Sequence, residues 1–176
     1  MIRNQPILAA SFDNRIESRC DMIKQIIKNI ILFVLFGCFY VTIEVFFRNV
    51  SYPLMFLVAG IASVIIDKLN NKISWDMPLP LQVLIGTFII LALELSSGLF
   101  ALHVLGVRMW DYRNMPWNMF EGLLCPQFAF IWMVLTLCII VLADAINYYW
   151  LHDEERPYYV LRRNGKRYYL PARNCN

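Results

Sequence analysis

"LPLQVLIGTFIILALELSSGLFALHVL", residues 79–105, runs for 27 residues with Glu94 as its single formally charged side chain. At 1.5 Å per residue such a helix is roughly 40 Å long, more than the ~30 Å hydrocarbon layer of a bilayer. A stretch this long and this poor in charge reads as a membrane span. No water is present there to satisfy backbone groups, so the span must be helical.

Working outward, three further runs fit the same reading: 30–47 with Glu44 inside it, 49–66 with Pro53 near its start, and 123–146 with Asp144 near its end. The whole chain of 176 residues is 59% hydrophobic and 16% charged, with a mean hydropathy of +0.52. Soluble domains usually carry about a quarter charged residues, so the composition is that of a polytopic membrane protein. The fold class expected is an all-α four-helix transmembrane bundle. Its organisation is a polar segment 1–25, a membrane domain 26–150 and a basic tail 151–176. The first 25 residues have mixed charge, so the run that follows is expected to be a retained span, not a cleaved signal.

Lysines and arginines orient the bundle. Thirteen of the sixteen lie in the amino-terminal segment, around Lys68 and Lys72, or in the tail; only Arg48, Arg108 and Arg113 fall on the other side. Both termini are therefore expected in the cytoplasm, with the protein in the cell membrane. Ile16, Cys20, Ile23 and Ile27 recur at helical spacing beside Arg15, Arg19, Lys24 and Lys28. They form either an amphipathic helix lying on the inner leaflet or a cytoplasmic extension of the first span. In the tail, "YYVLRRNGKRYYL" (158–170) places two β-prone runs around Asn164-Gly165. That dipeptide predicts a short hairpin. A two-residue turn there sets Arg163 opposite Lys166 and Arg162 opposite Arg167, a repulsion that calls for an anionic partner, with anionic lipid as the first candidate.

Between the third and fourth runs stands "GVRMWDYRNMPWN", 106–118. Trp110, Tyr112 and Trp117 suit the headgroup level of a bilayer, which leaves Asp111, Asn114 and Asn118 to be explained. Pro116 disfavours helix at the preceding residue, so the segment is expected to fold back over the helix ends. It is then an anchor first and the rim or lid of a site second, its polar side chains pointing at backbone groups or at a bound polar group.

From Glu94-x-x-x-Gly98 and Gly106 through Trp110-Asp111-Tyr112, Asn114, Pro116 and Asn118 to Cys125 and Trp132, the sequence resembles the CmpB-like family of small bacterial integral membrane proteins labelled ABC-transporter type IV. Weaker likeness extends the match to roughly residues 43–159. The resemblance implies a permease-like transport component. The chain carries no Walker-type glycine loop, so any ATPase is implied to be a separate subunit. The family usually has Ser where this chain has Arg113, and Gly-Gln where it has Glu121-Gly122; a ligand touching those positions would differ here.

The residues themselves leave two readings open. Glu44 and Arg48, four apart, share a helix face, and a carboxylate in lipid is costly enough that Glu94 should face the bundle interior. Glu44, Arg48 and Glu94, with Asp111 above them, make either an outward-opening polar binding site or a structural ion pair, Arg48 with Glu94 or with Asp111. The small residues Gly98 and Ala101 on the Glu94 face invite close packing of a neighbouring helix. Asp144 is expected to snorkel or cap near the inner surface.

Three function classes follow: a transport or binding component; an interaction or regulatory protein without transport; and an intramembrane enzyme acting on a lipid-linked substrate, with Glu94 or Asp111 as base. The sequence leans away from an enzyme, since His103 and His152 pair with no nucleophile and the five scattered cysteines have no metal-ligand spacing. No cofactor, metal or nucleic-acid partner is expected. Four spans are few for a complete transporter, so further copies of the chain or other membrane subunits are expected as partners.

Overall fold

The computed structural model describes residues 5–151, 155–163 and 165–173, with side chains from Ser18 onward except those of Phe47 and Arg48. His152, Asn164 and Cys175 lie outside the described residues. Four helices follow in order: α1 (Gln5–Arg48), α2 (Pro53–Asn70), α3 (Leu79–His103) and α4 (Pro126–Tyr149). A two-stranded antiparallel sheet of β1 (Tyr158–Val160) and β2 (Arg167–Tyr169) ends the chain. All four helices are long and apolar enough to cross a membrane; this is a multi-pass membrane protein.

Proline sets three of the helix starts. Pro53, Pro80 and Pro126 occupy the first turns, where a missing N–H costs nothing and the fixed φ suits the helix. The second span is thereby moved to Pro53–Asn70 from the expected 49–66. The fourth begins at Pro126, because the apolar residues Leu123, Leu124 and Cys125 belong to the preceding loop instead. Leu124 pairs with Met119 in an antiparallel bridge, and Leu123 is buried.

α2 packs against α1, α3 and α4. Close approach is set by glycines: a Cβ on Gly37 would meet the Phe56 ring at 2.7 Å, and one on Gly86 would run into Thr136 Cγ2. The central core gathers Leu32, Phe36, Ala62, Ile66, Ile90 and Ile140. Phe46, Phe88 and Phe130 point outward, as lipid-facing side chains should. One end of the bundle carries the α3–α4 connection (the loop face); the other carries the α2–α3 turn and the hairpin (the tail face).

The expected hairpin is present, in a different register. Tyr158 pairs with Tyr169, Tyr159 with Tyr168 and Val160 with Arg167, and the Gly165 N–H closes the turn onto Arg162 O at 2.7 Å. The turn therefore spans 162–165, one residue earlier than a turn centred on Asn164-Gly165, and the like charges do not stand opposite one another in the strands. Arg167 instead reaches Asp76 at 3.1 Å and lies over the Tyr158 ring, so the repulsion that called for an anionic partner is absent from the strands.

Candidate functional site

At the loop face, Glu94 of α3 is 2% exposed. Its carboxylate accepts the Trp132 indole N–H from α4 at 2.9 Å and the Tyr112 hydroxyl from the loop at 3.4 Å. Glu44 of α1 is also buried, accepts the Ser51 hydroxyl at 2.6 Å, and lies within electrostatic reach of Glu94. Tyr40, one turn before Glu44, stacks on Trp132 with ring planes 6° apart. Two carboxylates from different helices thus occupy the apolar interior, and the hydrogen bonds described to them come from neutral donors. Beside Tyr40 and Trp132 the bundle leaves a cavity of about 20 Å³, room for about one water.

The connection 104–125 folds back over these groups. Trp110 is buried, its ring against Gly98, where a Cβ would meet Cζ2 at 2.8 Å. Its indole N–H donates to Leu123 O at 3.0 Å. This corrects the expectation that Trp110 anchors at headgroup level: its ring, and not a neighbouring helix, fills the small-residue face at Gly98. Trp117, 83% exposed, is free to play the anchoring part. Tyr112 stacks on Phe128 at 4.6 Å while reaching Glu94. Trp117, Phe120 and Glu121 hold left-handed backbone angles between +52° and +65°, which side chains other than glycine rarely adopt. Gly122, at φ +78°, allows Arg113 to lie against it.

Of the residues singled out from sequence, Glu44 and Glu94 come together. Arg48 ends α1, but its side chain lies outside the described residues. Asp111 is committed to Arg113, bonded to its backbone N–H at 3.0 Å and to Nη2 at 2.6 Å. Those bonds pull the Asp111 carboxyl down to about 2 from the ordinary 3.8. Asn118 donates to Arg113 O and Met115 O, and Asn114 is exposed on the same turn. These three residues therefore shape the loop surface and do not line the buried acids. Tyr112, Trp132, Tyr40 and Ser51 carry the hydrogen bonds and stacking around the acids.

The tail face holds a second buried polar group that sequence reading missed. Lys28 of α1 meets Asp67 of α2 at 2.8 Å, with both side chains at most 1% exposed. Asp144 of α4 is buried, accepting Asn70 Nδ2 at 2.9 Å and the Tyr159 hydroxyl of β1 at 2.9 Å. It does not snorkel. Burial, then the neighbouring Asp144, holds the Tyr159 phenol well above its usual range, so it remains a donor. The signal lay in the placement: Lys28, Asp67 and Asp144 all stand where apolar runs approach the same face.

A family model matches residues 31–159, more than two thirds of the chain, under the description "Putative ABC-transporter type IV". The chain belongs to that family. The match covers Glu44, Glu94, the loop and the hairpin's first strand up to Tyr159. No curated protein and no solved structure matches the chain. Among the described residues, no cluster of His, Cys, Asp and Glu is grouped to hold a metal ion.

Proposed function

We propose that this protein is the membrane-embedded component of a transport system, and that the Glu44–Glu94 pair beneath the loop 108–124 is its polar binding site. One observation carries the reading: two carboxylates from separate helices are buried together inside an apolar bundle, under a loop held in strained conformations. Buried ionisable groups in a bilayer are functional by default because they are costly to keep. A pair of acids suits a cationic or multiply hydrogen-bonding group. Tyr112 of the loop closes over Glu94, so the loop must lift before a ligand enters.

In this reading the tail face, with segment 1–25 and tail 151–176, is cytoplasmic and the loop faces out of the cell. Arg48, Trp110, Asp111, Asn114 and Asn118 then frame the way in. Arg162, Arg163 and Lys166, exposed on the tail, rest on anionic lipid at about 1 kcal/mol each. The chain works with further copies of itself or other subunits, and a separate ATPase supplies the energy.

The test is purification of the tagged full-length chain from native membranes in mild detergent. Recovery of an ATP-hydrolysing subunit, kept by loop variants but lost from charge variants of the tail face, is the result expected. The chain recovered with lipid alone would favour an interaction or regulatory protein, a reading that the bonds Glu94 already accepts from Trp132 and Tyr112 support, with the acids serving only structure. In a background without native cysteines, Asn114→Cys should react with an impermeant maleimide outside intact cells and Ser74→Cys should not; the reverse pattern overturns the orientation.

A further inference from the structure

Between the hairpin and the α2–α3 turn, apart from the buried acids, Asp76, Val160, Arg163, Gly165 and Arg167 line a cavity of about 490 Å³. Small-ligand sites are about 300–1,000 Å³. Arg167 is positioned there before any ligand arrives. Its Nη2 meets Asp76 Oδ1 at 3.1 Å, and its guanidinium lies 4.7 Å from the Tyr158 ring centroid. The Tyr158 hydroxyl donates to the same Asp76 oxygen at 3.1 Å. A guanidinium has five N–H donors, and the bonds to Asp76 and Tyr169 leave some of them unused. Arg163 makes no hydrogen bond or ion pair among the described residues, and neither does Asp76 Oδ2. Two arginines against one carboxylate leave the cavity with one positive charge in excess.

Position says what is there to bind. The turn joins two spans, α2 ending at Asn70 and α3 starting at Leu79. The cavity therefore lies in the headgroup layer, roughly 5–8 Å deep on each side of the hydrocarbon. Each glycerophospholipid of that leaflet presents a phosphodiester with one negative charge at this level. Guanidinium groups hold phosphate oxygens through paired, charge-assisted hydrogen bonds. One excess positive charge matches one diester. A headgroup bearing an ammonium would leave that excess unbalanced, whereas one bearing hydroxyls balances it and still offers Asp76 a donor.

We propose that this cavity binds a phosphodiester with a hydroxylated headgroup, Arg163 and Arg167 donating to the phosphate oxygens and Asp76 Oδ2 accepting from a headgroup hydroxyl. This goes beyond the general attraction of the tail's basic residues to anionic lipid, which needs no cavity and selects no headgroup. It rests on the tail lying at a membrane surface, and needs neither the transport reading nor one orientation, since both leaflets contain phosphodiesters.

The experiment uses the full-length chain purified in mild detergent, with native mass spectrometry counting bound ligand. Phosphatidylglycerol, phosphatidylcholine and the chain-free diester glycerophosphoglycerol are titrated separately. Phosphatidylglycerol should bind at least about fivefold more tightly than phosphatidylcholine, whose head has no hydrogen to donate to Asp76. Arg163→Gln should weaken phosphatidylglycerol binding by about tenfold or more, as loss of charge-assisted hydrogen bonds does. Arg162→Gln and Lys166→Gln, neighbours outside the cavity, should change it by less than about threefold, because exposed charges are screened. Arg163 anchors no described residue, so its variant should keep the parent's unfolding midpoint. Glycerophosphoglycerol binding that Arg163→Gln removes would make a free diester a second source of the same chemistry; binding of the lipid alone would assign the site to the membrane. Equal losses at 162, 163 and 166 would leave only diffuse attraction and overturn the site. So would equal affinity for phosphatidylcholine, or an Arg163→Gln variant that binds phosphatidylglycerol as the parent does.

Discussion

Replacing Lys28 with methionine tests how the tail face is held. The Lys28 ammonium touches both Asp67 oxygens, at 2.8 and 3.1 Å, and neither side chain is more than 1% exposed. After Lys28→Met, the remaining hydrogen bond described to Asp67 is a long one from Asn71, at 3.4 Å. Removing one partner of a buried pair costs roughly 3–5 kcal/mol, because the other charge stays buried. At about 1.4 kcal/mol per tenfold, the folded-to-unfolded ratio should fall by two orders of magnitude or more. Converting both residues to apolar ones, Lys28→Met with Asp67→Leu, removes the orphan and should restore stability to within about 1 kcal/mol of the parent. Reversible unfolding in mixed micelles of sodium dodecyl sulfate and a mild detergent, followed by circular dichroism, reads both values. A single variant within about 1 kcal/mol of the parent, or a double variant no better than the single, would refute the reasoning.

Three further outcomes follow. Tyr159→Phe removes the hydroxyl donated to Asp144 and should loosen the hairpin, raising trypsin cleavage after Arg162 and Arg163 about fivefold for a bond worth ~1 kcal/mol. Gly98→Ala drives a methyl into the Trp110 ring, costing about 1–3 kcal/mol as overpacking does; maleimide labelling of Cys125, buried beside the loop, should quicken. Asp111 has its carboxyl lowered from 3.8 to about 2 by Arg113. A depressed acid contributes stability above its unfolded value and loses it as pH falls through the folded one. Trp117 emission should therefore hold steady from neutral pH to about 4 and change between 4 and 2, and Asp111→Asn should abolish that transition.

The four spans were legible because lipid allows so few solutions: charge-poor runs of this length must be helices. Their ends were less legible. Leu123–Cys125 read as span, yet they close the loop beneath Trp110, a contact that depends on a left-handed turn at 120–122 that no apolar pattern announces. Glu44 and Glu94 were visible as acids in lipid. Their donors were not, because Tyr112 and Trp132 lie 18 and 38 residues from Glu94 and read equally well as interfacial aromatics. Lys28 was hidden by its own usefulness: as one of many basic residues at the helix ends it helped to orient the bundle, and nothing local marked it as buried. The hairpin's existence followed from its β-prone runs. Its register did not, because docking by Tyr159 to Asp144 and Arg167 to Asp76 outweighs the preference of one dipeptide.

That Tyr112 and Tyr159 each reach a buried carboxylate from outside the helices sets a timetable for biogenesis. The ribosome makes about 5–20 residues per second. Glu94 waits 38 residues for Trp132, roughly two to eight seconds at that pace. Asp144 waits 15 residues for Tyr159, roughly one to three seconds. During those intervals an acid on a newly inserted helix must borrow water or a passing polar group. Asp144 has Asn70 already made and stands near a membrane surface, but Glu94 has neither Trp132 nor Tyr112 when its helix enters. The third helix is therefore the step at which the nascent protein most needs the insertion machinery to shelter it, and slowing translation between residues 94 and 132 should leave more chains for quality control to destroy than the same delay placed after 144.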